Sequence, residues 1–144
     1  MTEWSKTNEH SRFNYSAWQR RVDREGLGLT YDEWVASEIV ELTRQVRSLN
    51  DQLRNGLTFG RICLDGELAL GTREEQSAAI KHVRQCTIFG SENDEHDFGL
   101  FTIDAQKFAW KINYYNLELN GPSLNPADPG ITNRVLTIRY AEDA

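Results

Sequence analysis

The stretch FGLFTIDAQKFAWKINYY, residues 98–115, carries the clearest structural signal in the sequence. Apolar and polar side chains alternate along its second half with the period of two that a β-strand imposes. The residues that share the apolar face are Phe108, Trp110, Ile112 and Tyr114. Because residues 104–106 interrupt the pattern, the stretch predicts a β-hairpin of strands 98–103 and 107–115 with one buried face.

Upstream of the hairpin the hydrophobic period is that of a helix. A Ser or Thr followed three residues later by Glu or Gln indicates a capping box, in which both side chains satisfy unpaired backbone N–H groups at a helix start. The three such pairs are Ser16 with Gln19, Thr30 with Glu33, and Thr72 with Glu75. They predict helices over residues 17–25, 31–54 and 73–85, and Gly26 is expected to end the first.

Two further segments are typical of strands. Residues 57–64 and 67–70 flank Asp65 and Gly66, a dipeptide that favours a hairpin turn. A last strand is predicted over residues 134–140, where apolar residues again alternate with polar ones.

This order of elements predicts an α+β fold. We expect an antiparallel sheet of about four to five strands packed by helices, with an N-terminal helical extension. One domain, residues 1–144, is predicted, with a helical part over residues 1–56 and an α+β part over residues 57–144.

Composition excludes several classes of protein. The chain has two cysteines, without a CxxC pair, so we expect no zinc site, no disulfide framework and no cofactor. A formal net charge of −6 repels phosphate backbones, so no direct binding to duplex DNA is expected. The N-terminus is polar and no apolar run approaches the roughly 18 residues of a membrane span. These features predict a cytoplasmic protein that does not bind membranes.

The predicted helix from Tyr31 to Arg54 has the most regular pattern. Its apolar residues recur at spacings of four and three, which suits either a homodimer seam or packing on the chain's own sheet. Since a single domain must cover its sheet, we favour packing within the chain, and a homodimer through this helix stays open.

The densest polar cluster is Glu92, Asp94, Glu95, His96 and Asp97. Carboxylates and an imidazole can hold a divalent metal or pair a general base with an acid. Alternation along an extended segment would send His96 opposite to Glu95 and Asp97, so the cluster does not converge. We therefore assign no catalytic residue and no metal ligand, and expect these side chains to stabilise the strand entry or contact a partner.

The polar face of the second hairpin strand is predicted to contact a partner. Lys111, Asn113 and Tyr115 lie opposite the apolar face. Residues 56–144 contain 8 Lys and Arg against 13 Asp and Glu, and this excess of acid favours protein over nucleic acid as the partner. The predicted partner-binding set is Glu92, Asp94, Glu95, Lys111, Asn113 and Tyr115.

Two residues near the last strand have alternative interpretations. Asp128 lies between Pro126 and Pro129, an arrangement more typical of a locked turn than of a site. Arg134 is suited either to clamp an anion or to pair with Asp97 or Asp128.

Several ordered blocks between residues 50 and 142 resemble an uncharacterised bacterial family that is common on plasmids and other mobile elements. The blocks are Asn50, Asp51 and Arg54; Glu95-His96-Asp97-Phe98-Gly99; Trp110 to Asn116; Pro126-Ala127-Asp128-Pro129; and Arg134 to Ile138. The resemblance implies a fold and a genetic context but no established activity. It also implies Asp at positions 113, 116 and 125, where this chain has Asn, so any family site built on those carboxylates would be impaired here.

These features together favour a small interaction protein. The leading hypothesis is a module encoded by a phage or plasmid that binds and inhibits or modulates a host protein, with anti-CRISPR and other anti-defence proteins as the class. One alternative is a metal-dependent hydrolase or nuclease centred on Glu95, His96 and Asp97, with Asp128 and Arg134 brought near. The other alternative is a structural dimerisation protein.

Overall fold

A computed structural model describes residues 10–56, 60–90 and 94–143. The chain forms two compact units, Met1–Leu42 and Thr43–Ala144, and helix α2 contributes to both. In chain order the elements are α1 (Tyr15–Glu25), α2 (Tyr31–Arg54), β1 (Arg61–Leu64), a 3-10 helix (Gly66–Leu70), α3 (Arg73–Arg84), β2 (Phe98–Ile103), β3 (Gln106–Tyr115), β4 (Asn133–Tyr140) and a 3-10 turn (Ala141–Asp143).

Helix α1 begins at Tyr15, two residues earlier than predicted. Asn14, not Ser16, is the N-cap, and its side chain accepts a hydrogen bond from the Ala17 N–H at 2.9 Å. Asn and Ser are about equally good N-caps, so Asn14 can start the helix, and Ser16 then lies in its first turn. The predicted stop is confirmed, since Gly26 closes α1 with a φ of 66°, a left-handed conformation that glycine adopts without steric cost.

Aromatic side chains hold the first unit together. Tyr31 stacks on Tyr15 with 4.4 Å between ring centroids, and its hydroxyl donates to the Phe13 carbonyl at 2.6 Å. The predicted capping box at Thr30 and Glu33 is confirmed by reciprocal hydrogen bonds of 2.9 and 3.2 Å. The described part of this unit is therefore two capped helices joined by an aromatic cluster.

Four strands form the sheet of the second unit in the order β1-β4-β3-β2. The predicted hairpin is confirmed: β2 and β3 are antiparallel and place Phe101 opposite Phe108. The α+β class is confirmed too, but the expectation of a wholly antiparallel sheet is wrong, because β1 runs parallel to β4. Parallel pairing needs a long connection, and here the whole chain from α3 to β3 lies between the two strands.

The turn predicted at Asp65 and Gly66 is not a hairpin. Asp65 accepts a hydrogen bond from the Gly66 N–H at 2.8 Å and caps the 3-10 helix that follows β1. Leu68 of that helix is fully buried. The Asp-Gly pair thus starts a helical turn because burial of Leu68 outweighs the local preference for a second strand. Residues 57–59 of the strand predicted over residues 57–64 lie outside the described residues.

The core lies on one face of the sheet, named here the covered face. Phe108, Trp110 and Ile112 are buried as predicted, while Tyr114 at the end of β3 is half-buried. The residues that pack with them from other elements are Leu53, Leu68, Ala79, Val83, Leu136 and Ile138. A Cβ on Gly99 would lie 2.4 Å from the Trp110 indole nitrogen, so only glycine fits beneath that ring.

Helix α3 confirms its predicted start. The Thr72 side chain accepts from the Glu75 N–H and the Glu75 carboxylate accepts from the Thr72 N–H, which completes the capping box. Within the described parts of the chain, no helix has the length and apolar character that crossing a membrane requires.

Candidate functional site

A buried polar network joins helix α2 to the ends of strands β3 and β4. Asn50 is fully buried and donates to the Tyr114 hydroxyl at 2.7 Å and to the Glu95 carbonyl at 3.0 Å. Its side-chain oxygen accepts from the Arg134 Nε at 2.9 Å. Tyr114 in turn donates to the Glu95 carboxylate at 2.7 Å. We name these four residues the buried network, and each of them is hydrogen-bonded to another member.

Burial shifts the protonation of two members of the buried network. Desolvation raises the pKa of Tyr114 far above its ordinary value, and the hydrogen bond to the Glu95 carboxylate raises it further. Desolvation lowers the pKa of Arg134, against the attraction of Tyr114 and Glu95. Tyr114 therefore acts as a fixed hydrogen-bond donor at neutral pH.

A second polar group lies beside the buried network. His96 Nδ1 lies 3.0 Å from an oxygen of Asp51, which also accepts from Arg54 at 2.8 Å. The His96 ring stacks on Phe89 with 4.0 Å between centroids, and the Arg54 guanidinium lies 4.6 Å from the same Phe89 centroid. A carboxylate bound to one imidazole nitrogen orients the ring, which is the geometry that a general base requires.

The three residues Glu95, His96 and Asp97 reach three different partners. Glu95 accepts from Tyr114 on the covered face, His96 contacts Asp51 of α2, and Asp97 accepts from Lys111 at 2.7 Å on the opposite face of the sheet. The predicted alternation is therefore wrong, since it placed Glu95 and Asp97 on one side. His96 has a φ of 56°, and this left-handed residue reverses the direction of the side chains that follow.

Neither predicted carboxylate partner of Arg134 is its partner. Its side chain donates to Asn50 and to the Pro126 carbonyl. Asp97 pairs with Lys111, and Asp128 accepts from the Gly130 N–H at 2.9 Å. The pairing prediction is wrong because Asn50 lies on the covered face, where Arg134 also points. These contacts do not test the alternative prediction that Arg134 binds an anion.

The face of the sheet opposite the core is named here the open face. It consists of Arg61, Cys63, Phe98, Leu100, Thr102, Lys107, Ala109, Lys111, Asn113, Tyr115, Asn133, Val135, Thr137 and Arg139, which alternate with the core residues in each strand. Leu100 is 61% exposed and Phe98 is 37% exposed. A groove of about 250 Å³ runs over Ala109 between Phe98 and Arg139.

The charges of the sheet differ from those of the whole chain. The sequences of the four strands hold five basic residues and no Asp or Glu. Four of the five lie on the open face: Arg61, Lys107, Lys111 and Arg139. The carboxylates that reach this face come from outside the strands, as Asp97 pairs with Lys111 and Asp65 with Arg139 at 3.0 Å. Asp and Glu therefore outnumber Lys and Arg in this half of the chain but not in its strands.

The predicted partner-binding residues fall into separate places. Lys111, Asn113 and Tyr115 lie together on the open face. Asp94 is exposed and accepts from Arg47 at 2.9 Å, whereas Glu95 belongs to the buried network. Glu92 lies outside the described residues.

The amides at two family Asp positions serve local turns. The Asn116 side chain exchanges hydrogen bonds with Asn120 at 2.7 and 3.1 Å, and Asn125 accepts from the Ala127 N–H at 3.2 Å. Asn113 lies on the open face, apart from both. Across residues 10–56, 60–90 and 94–143, no group of three or more His, Cys, Asp or Glu side chains could hold a metal ion.

Sequence reasoning missed several residues of these sites. Asn50 and Asp51 were noted only as part of a resemblance, yet they anchor the buried network and His96. They lie 45 residues from Glu95 and His96 in the sequence, so no local pattern links them. Phe98 and Leu100 carried a usable signal, because alternation in β2 places both opposite Gly99 and Phe101.

Comparison with known proteins gives a family and no activity. No curated protein and no solved structure matches the chain. Residues 42–143 match the family described as "Protein of unknown function (DUF3768)". This match covers most of the chain, including the sheet, the buried network and the open face, and the chain therefore belongs to the DUF3768 family.

Proposed function

We propose that this chain is a small cytoplasmic protein-interaction module whose open face binds an acidic surface of another protein. One observation carries the proposal: in a chain of net charge −6, the strands hold no acidic residue, and four of their five basic residues lie on the open face. Charge separated in this way steers association with a partner of opposite sign.

Apolar side chains on the same face give the partner something to bury. Leu100 and Phe98 are exposed beside a groove floored by Ala109, and Lys107 and Lys111 lie on the neighbouring strand. An apolar centre with a charged rim is the arrangement of protein interfaces. The partner surface that fits is therefore acidic, with an apolar side chain that fills the groove.

Single-stranded nucleic acid fits the same charges less well. Base stacking needs exposed aromatic faces. The Phe98 ring packs against Gly90, where an added Cβ would lie 2.5 Å from it, and Tyr115 is half-buried at the end of its strand. The most exposed residue of the face, Leu100, is aliphatic and offers no stacking surface.

The biological setting of the proposal rests on the resemblance to a family of mobile elements. We place the chain among phage- or plasmid-encoded proteins that bind and inhibit or modulate a host protein, with anti-CRISPR and other anti-defence proteins as the class. An acidic host protein surface is the expected target.

A pull-down with matched variants tests the proposal. Leu100→Asp and Lys107→Glu change the open face, whereas Leu70→Asp and Lys81→Glu make the same changes at exposed positions outside the sheet. We expect one stoichiometric partner from a bacterial lysate, retained by the two controls and lost by both open-face variants. Photo-crosslinking from position 100 should then map to an acidic segment of that partner.

Three outcomes would contradict the proposal. They are a lysate that yields no stoichiometric partner, a partner that the open-face variants retain, and micromolar binding of a single-stranded oligonucleotide that Lys107→Glu abolishes. Binding of the oligonucleotide would show that the open face binds nucleic acid and not protein.

A second candidate function is hydrolysis with His96 as general base, and the 3.0 Å contact between His96 and Asp51 favours it. Purified protein would be assayed on nucleic acids and on generic ester and phosphate substrates with Mg²⁺, Mn²⁺ or Zn²⁺. Turnover that disappears in a folded His96→Ala variant would establish the enzyme. Under the leading proposal neither protein shows turnover.

The dimerisation alternative is tested separately. Helix α2 leaves Ile39 40% exposed and Val40 69% exposed on its surface. The masses of the wild type and of a Val40→Glu variant would be measured by analytical ultracentrifugation. A homodimer through α2 predicts twice the monomer mass for the wild type and the monomer mass for the variant.

A further inference from the structure

Arg134 is a buried cation that contacts no carboxylate among the described residues. Only 6% of the residue is exposed. Among the described residues its side chain contacts the Asn50 side chain, the Pro126 carbonyl and the face of the Tyr114 ring, with 5.2 Å to the ring centroid. The carboxylate of Glu95 lies in the same network but accepts from Tyr114. A guanidinium removed from water without a contacting anion is costly, so an anion beside it would be stabilising.

Arg134 lines a cavity of about 280 Å³. Apolar side chains form much of the wall, namely Leu49, Leu117 and Pro129, and the polar residues are Arg134 and its two predecessors in the chain. The volume is just below the roughly 300–1,000 Å³ of sites for drug-sized ligands, so the occupant is small. A neighbouring groove shares Leu49 and Pro129 with the cavity and extends the apolar wall.

The other polar groups of the cavity are already used. The Thr132 hydroxyl donates to the Asn125 carbonyl at 3.0 Å, and the Asn133 amide donates to the carbonyls of Asn116 and Leu117 at 3.2 and 3.1 Å. Arg134 has one terminal nitrogen left, Nη1, which makes no hydrogen bond to any residue in the described part of the chain. This nitrogen is the available donor of the site.

We propose that this cavity binds a small carboxylic acid with an apolar body, its carboxylate on Arg134 and its hydrocarbon against Leu49 and Leu117. A guanidinium matches a carboxylate in charge and planarity. The apolar wall accounts for the body of the ligand. Phosphate fits less well, because Arg134 is the one cation among the described lining residues and a dianion is usually held by several donors. Arg134 points to the covered face, and of the lining residues only Asn133 also belongs to the open face as defined above.

Nuclear magnetic resonance of the arginine Nε–H group measures occupancy at Arg134 directly. The probes are hexanoate, its neutral counterpart hexanamide, and inorganic phosphate, each titrated at constant ionic strength. Hexanoate should shift the Arg134 signal saturably, and hexanamide should bind at least about tenfold more weakly because it lacks the charge. Phosphate should cause no saturable shift.

Variants distinguish the site from general charge effects. Arg134 is tied to Asn50, so its removal threatens folding, and Leu117→Asp is the better variant because Leu117 is 54% exposed. A carboxylate at position 117 should weaken hexanoate binding at least about tenfold, whereas Leu70→Asp, far from the lining in the sequence and 87% exposed, should leave it unchanged. Equal binding of hexanoate and hexanamide, tighter binding of phosphate, or an unaffected Leu117→Asp variant would each overturn the proposal.

Discussion

The two faces of the sheet are built from one alternating pattern but have opposite surroundings. On the covered face, Trp110 and Ile112 pack against residues of α2, α3 and the first 3-10 helix. On the open face, Leu100 and Lys107 are exposed. Alternation therefore separates two sets of side chains, and the elements that pack on one set decide which becomes the core.

The polar residues of the two faces differ in the same way. On the covered face, Asn50, Glu95, Tyr114 and Arg134 satisfy one another inside the protein. On the open face, the cations outnumber the carboxylates that reach them, and Lys107 has no ion-pair partner among the described residues. Stability is expected to depend on the first group and binding on the second.

The largest effect is expected from Trp110→Ala. Trp110 is 1% exposed at the centre of the covered face, and truncation of a buried Trp leaves a cavity that costs about 3–5 kcal/mol of unfolding free energy. A denaturant titration measures this loss. A loss below about 1 kcal/mol would show that the face contributes little to the core, which contradicts the comparison.

Tyr114→Phe should have the next largest effect. Loss of the hydroxyl leaves the Asn50 amide and the Glu95 carboxylate each without one hydrogen bond, at a cost of about 1–3 kcal/mol. Urea melts of both proteins at pH 7 measure it. An unchanged free energy of unfolding would mean that water replaces the hydroxyl and that the buried network does not hold β3 and β4 to α2.

The same variant tests the pKa of Tyr114 at high pH. The folded protein keeps the phenolic proton above the ordinary pKa of 10.0, at which the unfolded chain releases it. At a pH between the pKa of the unfolded chain and the higher pKa of the folded protein, the unfolded state binds fewer protons. The free energy of unfolding of the wild type therefore falls as the pH rises above 10.0. Tyr114→Phe should lack this part of the alkaline loss. Parallel pH profiles would contradict the raised pKa.

His96→Ala is expected to cost less. The substitution removes the contact with Asp51 and the stacking on Phe89. His82→Ala is a matched control, because His82 stacks on Phe101 at 5.2 Å and contacts no carboxylate among the described residues. The loss for His96 should exceed that for His82 by about 1 kcal/mol. Equal losses in thermal melts would show that the Asp51 contact adds no stability.

The smallest effect on stability is expected from Leu100→Ala. Leu100 lies on the open face and is 61% exposed, so its truncation should change the unfolding free energy by less than about 0.5 kcal/mol. A loss of 2 kcal/mol or more would be typical of a core residue. The open face would then be covered within the protein itself, which removes the basis for a docking surface.

Local signals in the sequence determined most of the elements. The hairpin at residues 98–115, the capping box at Thr72 and the glycine stop at Gly26 follow from alternation, side-chain caps and backbone freedom, all of which act over a few residues. Alternation also predicted that Phe108, Trp110 and Ile112 would be buried, and the helices that pack on this set complete the core.

Only the tertiary structure decided what lies beyond that range. The parallel pairing of β1 with β4, and the meeting of Asn50 with Arg134 across 84 residues, depend on which distant segments bury one another. The left-handed conformation of His96, which turns Glu95 and Asp97 to opposite faces, is one that His adopts more often than most residues, but the sequence pattern did not indicate it. Strand order and buried polar contacts are properties of the whole packed chain, because their free energy appears only when residues far apart in sequence exclude water together.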